Sequence, residues 1–505
     1  MTDKETLDIN FEELRKIGYK SIDIITDYLK NINDLPILPN DNLDQMRTLI
    51  EESIPMGEKN SFELLDECQN KIIKNAVKVG NAKLLGWILP SSNPIGCLSD
   101  GIASAINQNV SISGSSISTA IELLVLDWIK EIIGYDKKAG GILVSGGSVA
   151  NLIALTIARN VKSGIDIKQR GLKNSSQLIL YVSNEIHSCI LKAANILGIG
   201  TNNVCLIQTD QNYKINTTLL EEKIKQDIKD NKKPIAVVAI AGTVNTGSID
   251  PLTEISEICK RYDLWFHIDA AYGGFAALSN KYKNRLNGIE KADSVVLDPH
   301  KWLFIPYEAG CILVKNPNIM KETFSTKSDY INLHNDELSN KDDIDLSDYG
   351  IQLSRYFRAL KIWMSLKRYG IKKYEKIIDN NINLAYEFKK LLDITADFEV
   401  LSPIHLSIVC FRYVPFEISK KYADIDSNQK QKINDYLNKL NQTIAISLRN
   451  DCRALVSTTV LKNNILALRL CIVNYRTTIK DLNEIINIIQ KYGQEIDKKE
   501  RSKSL

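Results

Sequence analysis

Two residues thirty-two positions apart, Asp269 and Lys301, have the types and settings to do chemistry together. Lys301 stands between two apolar, β-branched runs, Val295 to Leu297 and Cys311 to Val314, that read as buried strands. A lysine this close to buried strand ends loses hydration, which is expected to lower its pKa and free its amine as a nucleophile toward carbonyl carbons. Taken alone, a strand-end lysine pointing to solvent explains the stretch better. Asp269 changes that weighting, because it emerges from a second apolar run, Trp265 to Ala271, and is expected to reach the same pocket. A lysine to form an imine and an acid to hold a ring nitrogen protonated are the pair that a pyridoxal phosphate site needs.

A third stretch fits the same ligand. Ser145-Gly146-Gly147-Ser148 joins a strand to a helix that starts near Val149. Glycines let backbone N–H groups approach a phosphate, and a helix N-terminus offers unpaired donors and a favourable dipole. Most Gly-Gly turns are only turns, so this one gains weight from its strand-to-helix placement.

His-Lys-Trp at 300–302 and His-Ile-Asp-Ala-Ala-Tyr-Gly-Gly at 267–274 resemble the group II pyridoxal phosphate-dependent amino acid decarboxylases, nearest their aromatic-L-amino-acid branch. The resemblance runs from about residue 80 to about residue 480, with the motifs in the family's order. It implies that Lys301 carries the cofactor, that Ala271 lies against the ring, and that His187 stacks on it and contacts the substrate carboxylate. It assigns Gly146, Gly147 and Ser148 to the phosphate, Thr243 to the neighbourhood of the ring, and His300 to the phosphate or the substrate carboxylate. Asp298 stands where animal relatives carry an asparagine that donates to the phosphate. An ionised aspartate cannot donate, so that contact is lost, bridged by water or replaced by His300.

The resemblance also places Tyr330 as the proton donor to the substrate carbon, with Tyr349 as a rival. A tyrosine there favours an amine product, whereas relatives with phenylalanine form aldehydes. Trp87 and Leu89, in a Pro- and Ser-rich turn, are candidate contacts for an aromatic side chain, and a core tryptophan explains Trp87 equally well. Ile112 and Ser116 replace the aromatic and proline that the family often has, so the substrate cannot be copied from one relative. Arg355 and Arg476 match family arginines, but salt bridges explain them as well. The expected reaction is decarboxylation of a tryptophan-, tyrosine- or phenylalanine-type amino acid. An aldehyde synthase, a decarboxylase of a non-aromatic amino acid and a cofactor-free scaffold are the alternatives.

These residues need a frame to hold them. Ile142–Val144, Leu178–Val182, Val204–Gln208, Ile235–Ala241, Leu264–Ile268, Val295–Leu297 and Ile312–Val314 are strand-like, with helix-like segments between. Several are apolar without alternation, as in strands covered on both faces. That pattern predicts an α/β doubly wound sheet with ligands at the strand carboxyl ends. The resemblance sharpens it to an aspartate aminotransferase-like fold (PLP fold type I). Its mostly parallel seven-stranded sheet belongs to a large domain over 86–370, followed by a smaller α+β domain over 371–505. Residues 1–85 form an N-terminal helical segment. There Phe11, Leu14, Ile17, Ile22, Ile25 and Leu29 make an apolar stripe that packs either on its own subunit or, as in the family, across a homodimer. Residues 321–350 read as a polar lid, and a long helix is expected from 352.

Composition narrows the remaining classes. The 505 residues are 44% hydrophobic and 25% charged, and 64 basic against 61 acidic side chains leave a net charge of +3. No one-sign block marks a nucleic-acid or anionic-membrane partner. Nine cysteines without a Cys-x-x-Cys pair indicate neither a metal site nor a disulfide framework. With no apolar run of membrane-span length and no signal core, a soluble cytoplasmic protein is expected.

Overall fold

The computed structural model describes residues 6–39, 41–110, 116–173, 175–326, 344–421 and 426–504. Its centre is a seven-stranded sheet: β1 (Gly140–Val144), β2 (Leu178–Ser183), β3 (Val204–Ile207), β4 (Lys233–Ile240), β5 (Trp265–Asp269), β6 (Ser294–Leu297) and β7 (Gly310–Val314). The strands lie in the order β1-β7-β6-β5-β4-β2-β3. The pairs β3–β2, β2–β4, β4–β5 and β5–β6 are parallel, while β7 runs antiparallel to both of its neighbours. The central strands are mostly apolar because helices cover both faces, leaving Val237, Val238, Ile268, Val295 and Ile312 with no exposed surface.

This topology brings the carboxyl ends of β1, β2, β4, β5 and β6 to one edge. Residues 145–148, 184–187, 241–244, 270–271 and 298–301 follow those ends. A second, antiparallel sheet, ordered β10-β11-β9-β8, uses β8 (Phe398–Val400), β9 (Ile408–Tyr413), β10 (Ser457–Leu461) and β11 (Ile465–Cys471). It packs with the helices Ile371–Ile394, Ser427–Asp451 and Ile479–Ser504 around its own core, which includes Phe388, Phe411, Leu440 and Ile485.

The first helix, Phe11–Asn31, is capped by Asn10, whose side chain accepts from the N–H groups of Glu12 and Glu13. Its apolar stripe stays largely uncovered within the single chain: Phe11 is 82% exposed and Leu14 47%. The long helix expected from 352 begins instead at Ala359. Residues 353–358 are drawn into other bonds, since Arg355 N–H donates to Asn109 Oδ1 (2.8 Å) and Val110 N–H donates to the Arg355 carbonyl (3.0 Å).

Arg355 itself forms a buried ion pair with Glu122, the two side chains being 2% and 0% exposed. Its guanidinium also donates to the carbonyls of Leu143 (3.0 Å) and Val110 (3.2 Å), and Glu122 Oε1 accepts from Leu143 N–H (2.9 Å). The pair therefore clamps the helix Ile117–Ile133, the end of β1 and the approach to the helix Ala359–Tyr369. Removing one partner strands the other's charge away from water, a loss of about 3–5 kcal/mol. Glu122→Ala should lower the midpoint of urea unfolding far more than the double change Glu122→Leu with Arg355→Met, which leaves no charge behind.

Candidate active site

One cavity of about 380 Å³ opens where the five strand ends converge. Gly146, Gly147, Ser148, His187, Asp269, Ala271, His300 and Lys301 all line it, so most of the residues singled out in the sequence share one space. Thr243 is not on its wall. That hydroxyl accepts from Ser248 N–H (3.0 Å) and bonds the Thr246 hydroxyl (3.0 Å), while its neighbours Gly242 and Val244 reach the cavity. Trp87 and Leu89 are not on the wall either. Ile88 between them is; Trp87 lies half exposed over a separate depression, and Leu89 packs against Ile37, Leu84 and Leu455. Tyr330 and Ile112 fall outside the described residues. Tyr349 sits beside Gly140, at the far edge of the sheet from the cavity.

Asp269 ends β5 and is held from two sides. Its Oδ1 accepts from Ala271 N–H (3.1 Å) and its Oδ2 from the Asn151 side-chain amide (3.0 Å). Asn151 Oδ1 lies 2.8 Å from His267 Nε2, and His267 Nδ1 lies 2.8 Å from Ser294 Oγ. That hydroxyl accepts from the Trp265 indole N–H (2.8 Å). The chain of bonds links β5, β6 and the helix Gly147–Lys162 and fixes the direction of the carboxylate. Burial holds the His267 imidazole down to about 4, so it is neutral at physiological pH. Asn151 escaped the sequence reading although a signal was present: it stands one helical turn past Gly147, on the same side. His267 was legible in the same way, two residues before Asp269 on one strand face.

The glycine turn is shaped by its walls. A Cβ on Gly146 would stand 3.1 Å from His300 Cε1, and one on Gly147 would stand 3.0 Å from Asp298 Oδ2 and 3.3 Å from Ala271 Cβ. Opposite, a Cβ on Gly310 would stand 2.5 Å from the Gly146 backbone, so β7 enters the sheet pressed against the turn. Gly147 and Ser148 open the helix, where N–H groups have no carbonyl four residues back to bond. The turn thus offers free donors in a space that only small residues leave open.

Lys301 lies on a single helical turn, Pro299–Trp302, anchored by Trp302. That indole is fully buried, stacks on Tyr272 with centroids 5.1 Å apart and donates to Asn381 Oδ1 (3.1 Å). Lys301 Nζ is 3.0 Å from Asp298 Oδ2. Here the expected lowering of the lysine's proton affinity is reversed. Burial pulls it down, but the carboxylates of Asp298 and Asp269 outweigh burial and leave it above the ordinary lysine value. The amine rests as an ammonium paired with Asp298. His300 accepts the Ala309 N–H at Nδ1 (3.1 Å), and burial lowers its pKa. Burial also lowers that of His187, whose Nδ1 accepts the Cys189 N–H (3.2 Å) and so leaves Nε2 to carry the ring proton. Arg355 and Arg476 are committed elsewhere, to Glu122 and to Ser91.

The walls combine apolar Ile88, Ile240 and Val244 with the acids Glu185 and Glu308. Burial raises the Glu185 pKa, and its carboxylate accepts from Asn245 (3.0 Å). Glu308 pairs with Arg358 at 2.6 Å. A pyridoxal phosphate fits this donor set: an amine and a braced carboxylate share one cavity with a glycine turn that a Cβ would fill. When bound, such a cofactor supplies an aldehyde carbon for the lysine and an electron sink for charge left on the substrate's α-carbon.

Losing one hydrogen bond to a buried charge costs about 1.5–3 kcal/mol, roughly ten- to hundredfold in an equilibrium constant. Asn151→Leu should therefore weaken cofactor binding by that factor, read as the concentration needed to restore the visible absorbance band to stripped protein.

Residues 44–414 match the family model described as "Pyridoxal-dependent decarboxylase conserved domain". The chain is 34% identical over 494 residues to an aromatic-L-amino-acid decarboxylase of Bacillus atrophaeus, covering 97% of this chain and 98% of that protein. It is 28% identical to a phenylacetaldehyde synthase of a Rosa hybrid cultivar, covering 96% and 94% of the two chains. Among solved structures, Catharanthus roseus tryptophan decarboxylase in complex with L-tryptophan superposes with a TM-score of 0.85 at 25% identity, covering 97% of this chain and all of that one. Helices on both faces of a mostly parallel seven-stranded sheet, a lysine and an acid at its carboxyl edge, and near full-length likeness all agree: the chain belongs to the group II pyridoxal phosphate-dependent amino acid decarboxylases, on their aromatic-L-amino-acid branch.

Proposed function

We propose that this enzyme removes the α-carboxylate of an aromatic L-amino acid as carbon dioxide and releases the corresponding amine. The observation that carries the reading is the shared cavity of Lys301 and Asp269, with the glycine turn beside them. Lys301 is the group that would hold the cofactor's aldehyde carbon once its amine has given up its proton. Asp269, held by Asn151 and Ala271, keeps a ring nitrogen protonated from one side. Ala271 leaves room for the flat ring, and His187, with Nε2 free, stacks over it and orients the substrate carboxylate. Ser148 and the backbone of Gly146 and Gly147, with His300, take the phosphate. Tyr330 returns a proton to the α-carbon.

An aromatic side chain is favoured over an acidic one by the walls themselves. Ile88, Ile240 and Val244 give it apolar surface, whereas among the described residues no arginine and no lysine besides Lys301 lines the cavity to hold a second carboxylate. The relatives on both sides of the reaction choice act on aromatic compounds, which is why an aldehyde synthase is the second reading. The exposed apolar stripe of the helix Phe11–Asn31 supports a homodimer, and nine free thiols support a reducing, cytoplasmic setting.

Three measurements test this. Carbon dioxide release across the twenty amino acids should be confined to tryptophan, tyrosine and phenylalanine, with one amine formed per carbon dioxide. Release only from acidic substrates would refute the aromatic assignment, and stoichiometric ammonia and peroxide would move the enzyme to aldehyde synthesis. Lys301→Ala should abolish turnover and the visible band that borohydride removes from the native protein. Light scattering should give about twice the 56.9 kDa chain mass, falling toward one chain when Phe11 and Leu14 are both changed to Glu.

A further inference from the structure

The turn that suits a phosphate shares its space with an acid. Asp298 is buried, and its Oδ2 lies 3.0 Å from Lys301 Nζ, 3.6 Å from His300 Nε2 and 3.0 Å from where a Cβ on Gly147 would stand. Its other oxygen, Oδ1, is buried and has no hydrogen-bond partner among the described residues. A phosphate held by the Gly146–Gly147 turn therefore meets a carboxylate at close range, in surroundings that screen charge poorly.

Among the described residues Lys301 is the cation paired with Asp298, and its single charge cannot offset both that carboxylate and a phosphate dianion. Among the described residues no second standing cation pairs with Asp298. Burial disfavours the charged forms of His300, on the same turn, and of His187, at the start of the helix Ser188–Ile196. Tyr307 on the following loop, Cys189 on that same helix and Cys311 on β7 are all raised by burial and stay neutral. Asp269, acting on Lys301 from the end of β5, adds negative charge.

We propose that Asp298 takes up a proton when pyridoxal phosphate settles in the Gly146–Gly147 turn, and that the neutral acid donates its O–H to a phosphate oxygen. Cofactor capture is then linked to proton uptake, and Asp298 is an affinity-setting residue that acts as an amide would, but only after protonation. The inference rests on the assignment of the glycine turn to the phosphate. The orphaned Oδ1 is the site available for that proton, since Oδ2 faces Lys301. The proton comes from solvent, and no covalent bond forms or breaks at Asp298.

The test uses the full chain freed of cofactor and 4'-deoxypyridoxine 5'-phosphate, which lacks the aldehyde and so leaves Lys301 unmodified. Its phosphate titrates near pH 6, as phosphate monoesters do, so it is a dianion at pH 8. Titration calorimetry at pH 8 in buffers of different ionisation enthalpy counts the protons taken up. The phosphate-free 4'-deoxypyridoxine corrects for uptake at the ring nitrogen. The difference between the two ligands should be close to one proton for the native chain and close to zero for Asp298→Asn. Affinity of the native chain for the phosphorylated ligand should fall up to tenfold per pH unit above pH 7.5, whereas Asp298→Asn should bind more tightly there with a flat profile. No difference between the ligands in the native chain, or the same difference in Asp298→Asn, overturns the proposal. Should Asp298→Asn fail to fold by circular dichroism, the two-ligand comparison on the native chain decides alone. If the phosphorylated analogue binds no better than the phosphate-free one, the assignment of the turn to the phosphate fails as well, which separates that failure from a failure of proton coupling alone.

Discussion

The site depends on one run of hydrogen bonds, from the Trp265 indole through Ser294, His267 and Asn151 to the Asp269 carboxylate. Its members span three pieces of the frame: two neighbouring strands and the helix that follows the glycine turn. A buried polar chain of this kind is stabilising only when every member is satisfied, and here each is. Its direction matters as much as its strength. A neutral His267 holds the Asn151 carbonyl at Nε2 and so turns the Asn151 amide toward Asp269, at the place where a ring nitrogen would meet the acid.

The same logic explains why Lys301 differs from a simple buried amine. Desolvation by itself favours the neutral amine; two carboxylates hold it charged and in place instead. Its anchorage comes from behind, where Trp302 packs on Tyr272 and bonds Asn381 of the helix Ile371–Ile394. The lysine is thus fixed from one sheet's side and the second sheet's helix layer together, and the proton it carries has a nearby acceptor.

Much of this was legible in the chain itself. Unbroken apolar runs mark strands covered on both faces, and all seven were found within a residue or two of their expected ends. Lys301, Asp269, Ala271, His187, His300 and the Gly146–Ser148 turn announced themselves through motif and strand-end position, and they line one cavity. What stayed hidden depended on direction in space. Ile88 rather than Trp87 or Leu89, and Val244 rather than Thr243, face inward because local turns rotate neighbouring side chains differently, and a positive φ of 55° at Trp87 has no reliable sequence mark. The sign of the lysine shift was hidden for the same reason, since it depends on how closely Asp298 and Asp269 approach. The late helix start at Ala359 reflects backbone bonds to Asn109 and Val110, partners some 250 positions away.

Gly310, pressed from behind against the backbone of Gly146 on the cavity wall, sets that wall apart from the others. There backbone meets backbone, so there is no side chain to exchange and no room to add one. Around the rim, Ile88, Glu185, Val244 and Glu308 come from four separate stretches, each replaceable without moving the others. A scaffold made this way can drift among amino acid substrates by trading single rim positions while the machinery beneath stays frozen.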